Sequence, residues 1–157
     1  MTVEALSNTA DLEDAREKLI QSFGGLQDDL LDESSVVGDW SIRQTLTHIM
    51  GWDRWAEETL AALERGETVS VPSEDGMNSA AVESLAGEPT ETMTQELRGA
   101  RLLLIGRLAA MTDAERADKR YALADKQLSA DEFIDSFIEH DLEHASEIRA
   151  WRKAKGI

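Results

Sequence analysis

Phe137-Ile138-Glu139-His140-Asp141-Leu142-Glu143-His144-Ala145-Ser146-Glu147-Ile148 is the stretch on which the reading of this chain turns. His140 and His144 are four residues apart, so on a helix they share one face a turn apart. Phe137, His144 and Ile148 follow the same spacing, which points His144 inward. Working outward, Ser129-Ala130-Asp131-Glu132 has the spacing of a capping box, and Lys153 and Lys155 suit the negative end of a helix. The spacing therefore predicts a last helix from Ser129 to about Lys153, with Phe133, Phe137, His144, Ile148 and Trp151 inward.

The chain has three histidines, and the third, His48, lies in the other long amphipathic run. Trp40-Ser41-Ile42-Arg43-Gln44 starts it: Ser41 caps, Gln44 closes the box and Trp40 staples. The run ends at Arg65-Gly66, with Ile42, Leu46, Ile49, Ala56, Leu60 and Leu63 apolar and Thr45, His48, Trp52 and Trp55 as a flanking row. A first helix is expected from about Asp11 to Leu31, carried by Leu12, Ala15, Leu19, Phe23, Leu26 and Leu30. Gly24-Gly25 interrupts it, at about 1 kcal/mol per glycine relative to alanine. A third helix begins at Pro89-Thr90 and is lined by Met93, Leu97, Leu104, Leu108 and Met111. Between Glu67 and Pro89, Val69–Pro72 reads as extended and Asn78–Leu85 as a short helix, a connection long enough to cross over a bundle. From Thr112 onward a charged loop includes Tyr121, and its acids Asp113 to Asp118 read as solvated surface. No segment alternates like a strand, so the fold class is all-α: four main helices, bundled, in one domain over residues 1–157.

Thirty-two acids against sixteen bases give a net charge of -16. A surface of that sign repels phosphate backbones and anionic lipid, so nucleic acid and membranes are not expected as partners. There is no cysteine, which excludes disulfides, thiolate ligands and a cysteine nucleophile. With no signal-peptide pattern at Met1-Thr2-Val3-Glu4 and no apolar run approaching the roughly 18 residues that span a bilayer, a cytoplasmic location is expected.

His48, His140 and His144 are read as three ligands of one divalent metal, the donor count of a reactive site with open positions. Glu139, Asp141, Glu143 and Glu147 surround the pair, and one of them can orient a ring N–H. The bland alternatives are two solvated histidines on an acidic helix and a hydrogen-bonded core His48. Thr45, Trp52 and Trp55 are the candidate pocket-lining residues, although tryptophans of a bundle also serve as core. Asp53 interrupts the apolar stripe, facing solvent, pairing with an arginine or supporting a ligand from behind.

Trp40-Ser41, Leu46, His48, Trp52 and Asp53, then Asp75-Gly76-Met77-Asn78, Arg101-Leu102-Leu103-Leu104 and His140-Asp141-Leu142-Glu143-His144, occur in an order that resembles the DinB/YfiT-like superfamily of metal-binding bundles. Within it the chain is similar to the ClbS/DfsB-like and mycothiol-dependent maleylpyruvate isomerase-like branches. The resemblance implies an up-down-down-up four-helix bundle with a long connection between helices 2 and 3. It implies a nickel or zinc ion on His48, His140 and His144; from the residues themselves, Asp53 and Asp141 are the candidates for supporting the ligands from behind. It implies a small-thiol-dependent S-transferase or a hydrolase acting on a small electrophile, with a low-molecular-weight thiol as cofactor, a small-molecule substrate and a homodimer. Arg98, Arg101 and Arg107 are the candidates for holding an anionic thiol. The competing reading is a non-catalytic bundle that sequesters a ligand in a stress response.

Overall fold

Helix boundaries follow local chemistry. The computed structural model describes residues 3–67, 69, 85–119, 121–123 and 126–157. Helix α1 runs Val3–Phe23, α2 Ile42–Glu64, α3 Thr90–Ala109, the short α4 Asp113–Ala117 and α5 Ala130–Lys155; a 3-10 turn covers Asp28–Asp32. Ser41 with Gln44 and Ser129 with Glu132 form the two expected capping boxes, each side chain meeting the other's backbone N–H. Helix α3 starts on Pro89, which offers no cap of its own. Asp28 of the 3-10 turn supplies one, accepting from the Thr90 backbone N–H and hydroxyl at 2.9 Å each.

Three expectations change. Helix α1 begins at Val3, well before Asp11, because no proline or glycine precedes Gly24. It ends at Phe23 because Gly25 takes a left-handed conformation (φ 77°). The region after Thr112 contains α4, held by a Thr112/Glu115 capping box, and a hairpin of β1 (Tyr121–Leu123) and β2 (Lys126–Leu128). Three-residue strands are too short to show alternation, and the pairing Tyr121↔Leu128 is anchored by a buried Tyr121 whose hydroxyl donates to Glu64. The readings of Val69–Pro72 and Asn78–Leu85 fall almost wholly outside the described residues. The end of that connection is fixed by Arg43, which donates to the Leu85 and Glu88 carbonyls and pairs with Asp32.

Contacts give the helix directions. Arg16 meets Leu97 and Arg101 meets Leu12, so α1 and α3 are antiparallel. Arg54–Glu96 and Glu57–Arg107 make α2 and α3 parallel. His48–His144 and Trp55–Phe133 make α2 and α5 antiparallel, while Arg16–Asp141 and Arg152–Ser22 make α1 and α5 parallel. The bundle is up-down-down-up.

The core is split in two. Leu19, Phe23, Ile42, Leu46, Ile49, Met93, Leu97 and Ile148 belong to one cluster, and Leu12, Leu60, Leu104, Leu108, Ile134 and Phe137 to the other. At the level between them each main helix contributes one buried charge: Arg16, Asp53, Arg101 and Asp141, all 1–2% exposed. Arg16 donates through Nε and Nη2 to Asp141 (2.8 and 3.2 Å) and pairs with Asp53 at 2.8 Å. Arg101 donates through Nε and Nη2 to Asp53 (3.3 and 3.2 Å), and its Nη2 lies 3.1 Å from Asp141. Two backbone carbonyls complete the set, Leu97 for Arg16 (2.7 Å) and Leu12 for Arg101 (2.8 Å). Burial opposes the charge on Arg16, but Asp53 and Asp141 together outweigh it and raise its pKa. The layer is charge-balanced, the condition under which buried ions are tolerated.

Removing one member leaves an uncompensated buried charge. Arg16→Met is expected to lose about 3–5 kcal/mol of stability in urea unfolding followed by circular dichroism. Arg16→Met combined with Asp141→Leu restores the balance and should recover part of that loss; simply additive losses would contradict a coupled layer.

Candidate metal centre

Two caps aim the three histidines. The Ser41 box starts α2 so that His48 falls on the edge facing α5, and the Ser129 box sets α5 so that His140 and His144 face α2. His48 is 2% and His144 9% exposed, and His140 is half-buried. One ring nitrogen from each lies within 4.8 Å of the others, so the group could hold a metal ion. His140 Nε2 and His144 Nε2 are 2.9 Å apart. Two neighbouring ligands on bonds of about 2.1 Å are about 3 Å apart on an octahedral ion and about 3.4 Å apart on a tetrahedral one, so the two rings stand within reach of a shared ion.

The protonation state agrees. His140 has its pKa lowered to about 4, first by burial and then by the neighbouring His144 and His48 rings, so it is neutral at physiological pH. His144 Nδ1 lies 3.0 Å from Glu147 Oε1. With the carboxylate accepting the Nδ1 proton, the Nε2 lone pair is directed at the other two rings. Three imidazole donors suit zinc or nickel and do not suit calcium or magnesium, which take oxygen ligands.

The flanking row forms a continuous aromatic surface. The Trp40 ring lies 4.9 Å from His48, tilted by 59°, so it borders the histidine cluster as well as the start of α2. His48 meets Trp52 edge-on at 6.3 Å, Trp52 meets Trp55 at 5.3 Å, and Trp55 meets Phe133 at 5.7 Å. Trp40, Trp52 and Trp55 are half-exposed, which fits a groove wall as well as a core edge. Thr45 is fully buried and its hydroxyl donates to the Ser41 carbonyl at 2.9 Å. Asp53 and Asp141 are bound by Arg16 and Arg101 in the charge layer, and the acid hydrogen-bonded to a ring nitrogen is Glu147. The arginines expected to form an anion site do not converge: Arg101 is in the layer, Arg98 pairs with Glu17 and Arg107 with Glu57.

Arg16 was not singled out from the sequence. Its signal was present, since it follows Leu12 by four and precedes Leu19 by three, inside the buried stripe.

A histidine cluster clasped between helices 2 and 5 of an up-down-down-up bundle defines the class. The family model for the mycothiol maleylpyruvate isomerase N-terminal domain matches residues 12–134, and the chain belongs to that family. A search of curated proteins found no significant match. Among solved structures, the sibling lethal factor precursor DfsB is similar with a TM-score of 0.84 at 14% identity, covering 99% of this chain and 98% of that one. An uncharacterised protein from Escherichia coli UTI89 gives 0.81 at 13% identity, covering 98% and 95%. The colibactin self-resistance protein ClbS gives 0.77 at 10% identity, covering 95% of each chain. These likenesses bear out the bundle fold, and the family model bears out the resemblance to the maleylpyruvate isomerase-like branch. ClbS was solved in complex with dsDNA, which overturns the exclusion of nucleic-acid partners. The exclusion rested on net charge, a sum over the whole chain, whereas a duplex meets only the local surface presented to it.

Elemental analysis of untagged protein is expected to give one zinc or nickel per chain, lost in His48→Ala and in His144→Ala. Glu147→Gln should keep the fold and weaken metal binding roughly 10–100-fold in chelator competition.

Proposed function

We propose that the protein is a metal-dependent enzyme, a small-thiol-dependent S-transferase or a hydrolase, acting on a small electrophile at the groove between α2 and α5. The observation that carries this reading is the convergence of three imidazoles, with 2.9 Å between two Nε2 atoms. His48, His140 and His144 would hold a divalent zinc or nickel ion, which would lower the pKa of a thiol or water towards neutral pH. Glu147 fixes the His144 ring. Asp53 and Asp141 act at one remove, holding α2 and α5 in register through the charge layer. Trp52 and Trp55 give the electrophile an apolar wall, and Thr45 packs behind it. Residues 1–157 work as one domain in this reading, in the cytoplasm.

ClbS, a self-resistance protein, supports a second reading in which the same groove sequesters a reactive small molecule without turnover.

The test is a screen of electrophiles with the zinc- or nickel-loaded protein, with and without a low-molecular-weight thiol. Catalysis predicts many turnovers per chain and at least a hundredfold loss in His144→Ala. Sequestration predicts uptake that stops at one equivalent. No consumption by either route sinks both readings.

A further inference from the structure

The charges around the aromatic row differ from those elsewhere on the bundle. Every arginine of α1, α2 and α3 is already paired: Arg16 and Arg101 in the buried layer, Arg43 with Asp32, Arg54 with Glu96, Arg98 with Glu17 and Arg107 with Glu57. On α5, Arg149 and Arg152 donate to carbonyls of α1 and of the turn that follows it. Between Arg65 and Arg98 the sequence carries no lysine or arginine.

The two helices that carry the aromatic row and the histidines also carry exposed acids. Glu143 is exposed, three residues after His140 and one before His144; Glu58 is exposed, three residues after Trp55. Glu147 is at His144. Further along α5, Asp135 has its pKa raised, first by burial and then by Asp131, Glu139, Glu132 and Asp11. Half-exposed indole faces beside such a field attract cations twice, through the ring quadrupole and through the acids. A carboxylate or phosphate meets repulsion, and among the described residues the arginines of α1, α2 and α3 are already engaged by acids.

We propose that the Trp52–Trp55 groove selects flat organic cations and rejects anions, with Glu58 and Glu143 setting the sign of the preference. The inference rests on the reading of this face as the substrate site. It narrows the electrophile to a conjugated molecule bearing an amine, amidine or similar positive group.

Three naphthalene probes of one shape test it: 1-naphthylmethylammonium, 1-naphthylmethanol and 1-naphthalenesulfonate, the last a poor zinc ligand. Calorimetric titration of the full chain, with and without equimolar zinc, is expected to rank the cation at least tenfold above the alcohol and the sulfonate weakest. The gap should narrow in 0.5 M salt, about fourfold or more, as screening requires. Glu58→Gln/Glu143→Gln should remove most of the cation preference while leaving the alcohol unchanged. Trp52→Ala should weaken all three probes. Equal binding of cation and alcohol, a sulfonate that binds as well as either, or a preference untouched by the double substitution overturns the proposal. The outcome is separable from the metal reading: the ranking is read without metal as well, and metal content is measured independently.

Discussion

The layer formed by Arg16, Asp53, Arg101 and Asp141 is the constraint on which the rest of the bundle depends. Apolar side chains pack in several registers at similar energy, because dispersion and burial are not directional. A guanidinium fork meeting a carboxylate has one good geometry. Four such groups, one per helix, accept a single vertical alignment of α1, α2, α3 and α5. Replacement of buried ion pairs by apolar side chains is often neutral or stabilising, so specification of one arrangement is a better account of this layer than added stability.

The histidine cluster inherits that alignment. Asp141 follows His140 directly in α5, and Asp53 lies five residues beyond His48 in α2. The layer reaches the cluster electrostatically as well, since Asp53 favours and Arg16 opposes protonation of His140, both weakly beside burial and the other two rings. A shift of either helix by one residue would break the charge pairing and separate the three nitrogens together. The scaffold and the site are thus fixed by neighbouring residues on the same two helices.

Much of this was legible in the sequence where the information is local. Ser41 with Gln44 and Ser129 with Glu132 announced two helix starts, and both boxes form. The His140/His144 spacing and the row from His48 to Trp55 were readable by periodicity alone. What escaped depends on partners distant in sequence. Arg16 lies in the buried stripe of α1, but its local sequence does not name its partners, which appear only when Asp141 and Asp53 are placed opposite it. Asp53 stood open between solvent, a ligand's support and an arginine, and only the folded chain supplies Arg16 and Arg101. The Tyr121 hairpin has strands of three residues, below the length at which alternation is visible, and takes its stability from Glu64 at the end of α2. The cap of α3 comes from Asp28, sixty-two residues away.

Arg16 and Asp141 are separated by 125 residues, and this has a consequence for the order of assembly. A chain emerging from synthesis presents Arg16, Asp53 and Arg101 before α5 exists, leaving one positive charge in excess at the centre of an incomplete bundle. Such an intermediate has a reason to stay open and hydrated at its middle until the last helix arrives. Docking of α5 then closes the widest loop in the molecule, neutralises the centre and brings His140 and His144 to His48 in one event. The site is completed by the same step that completes the fold.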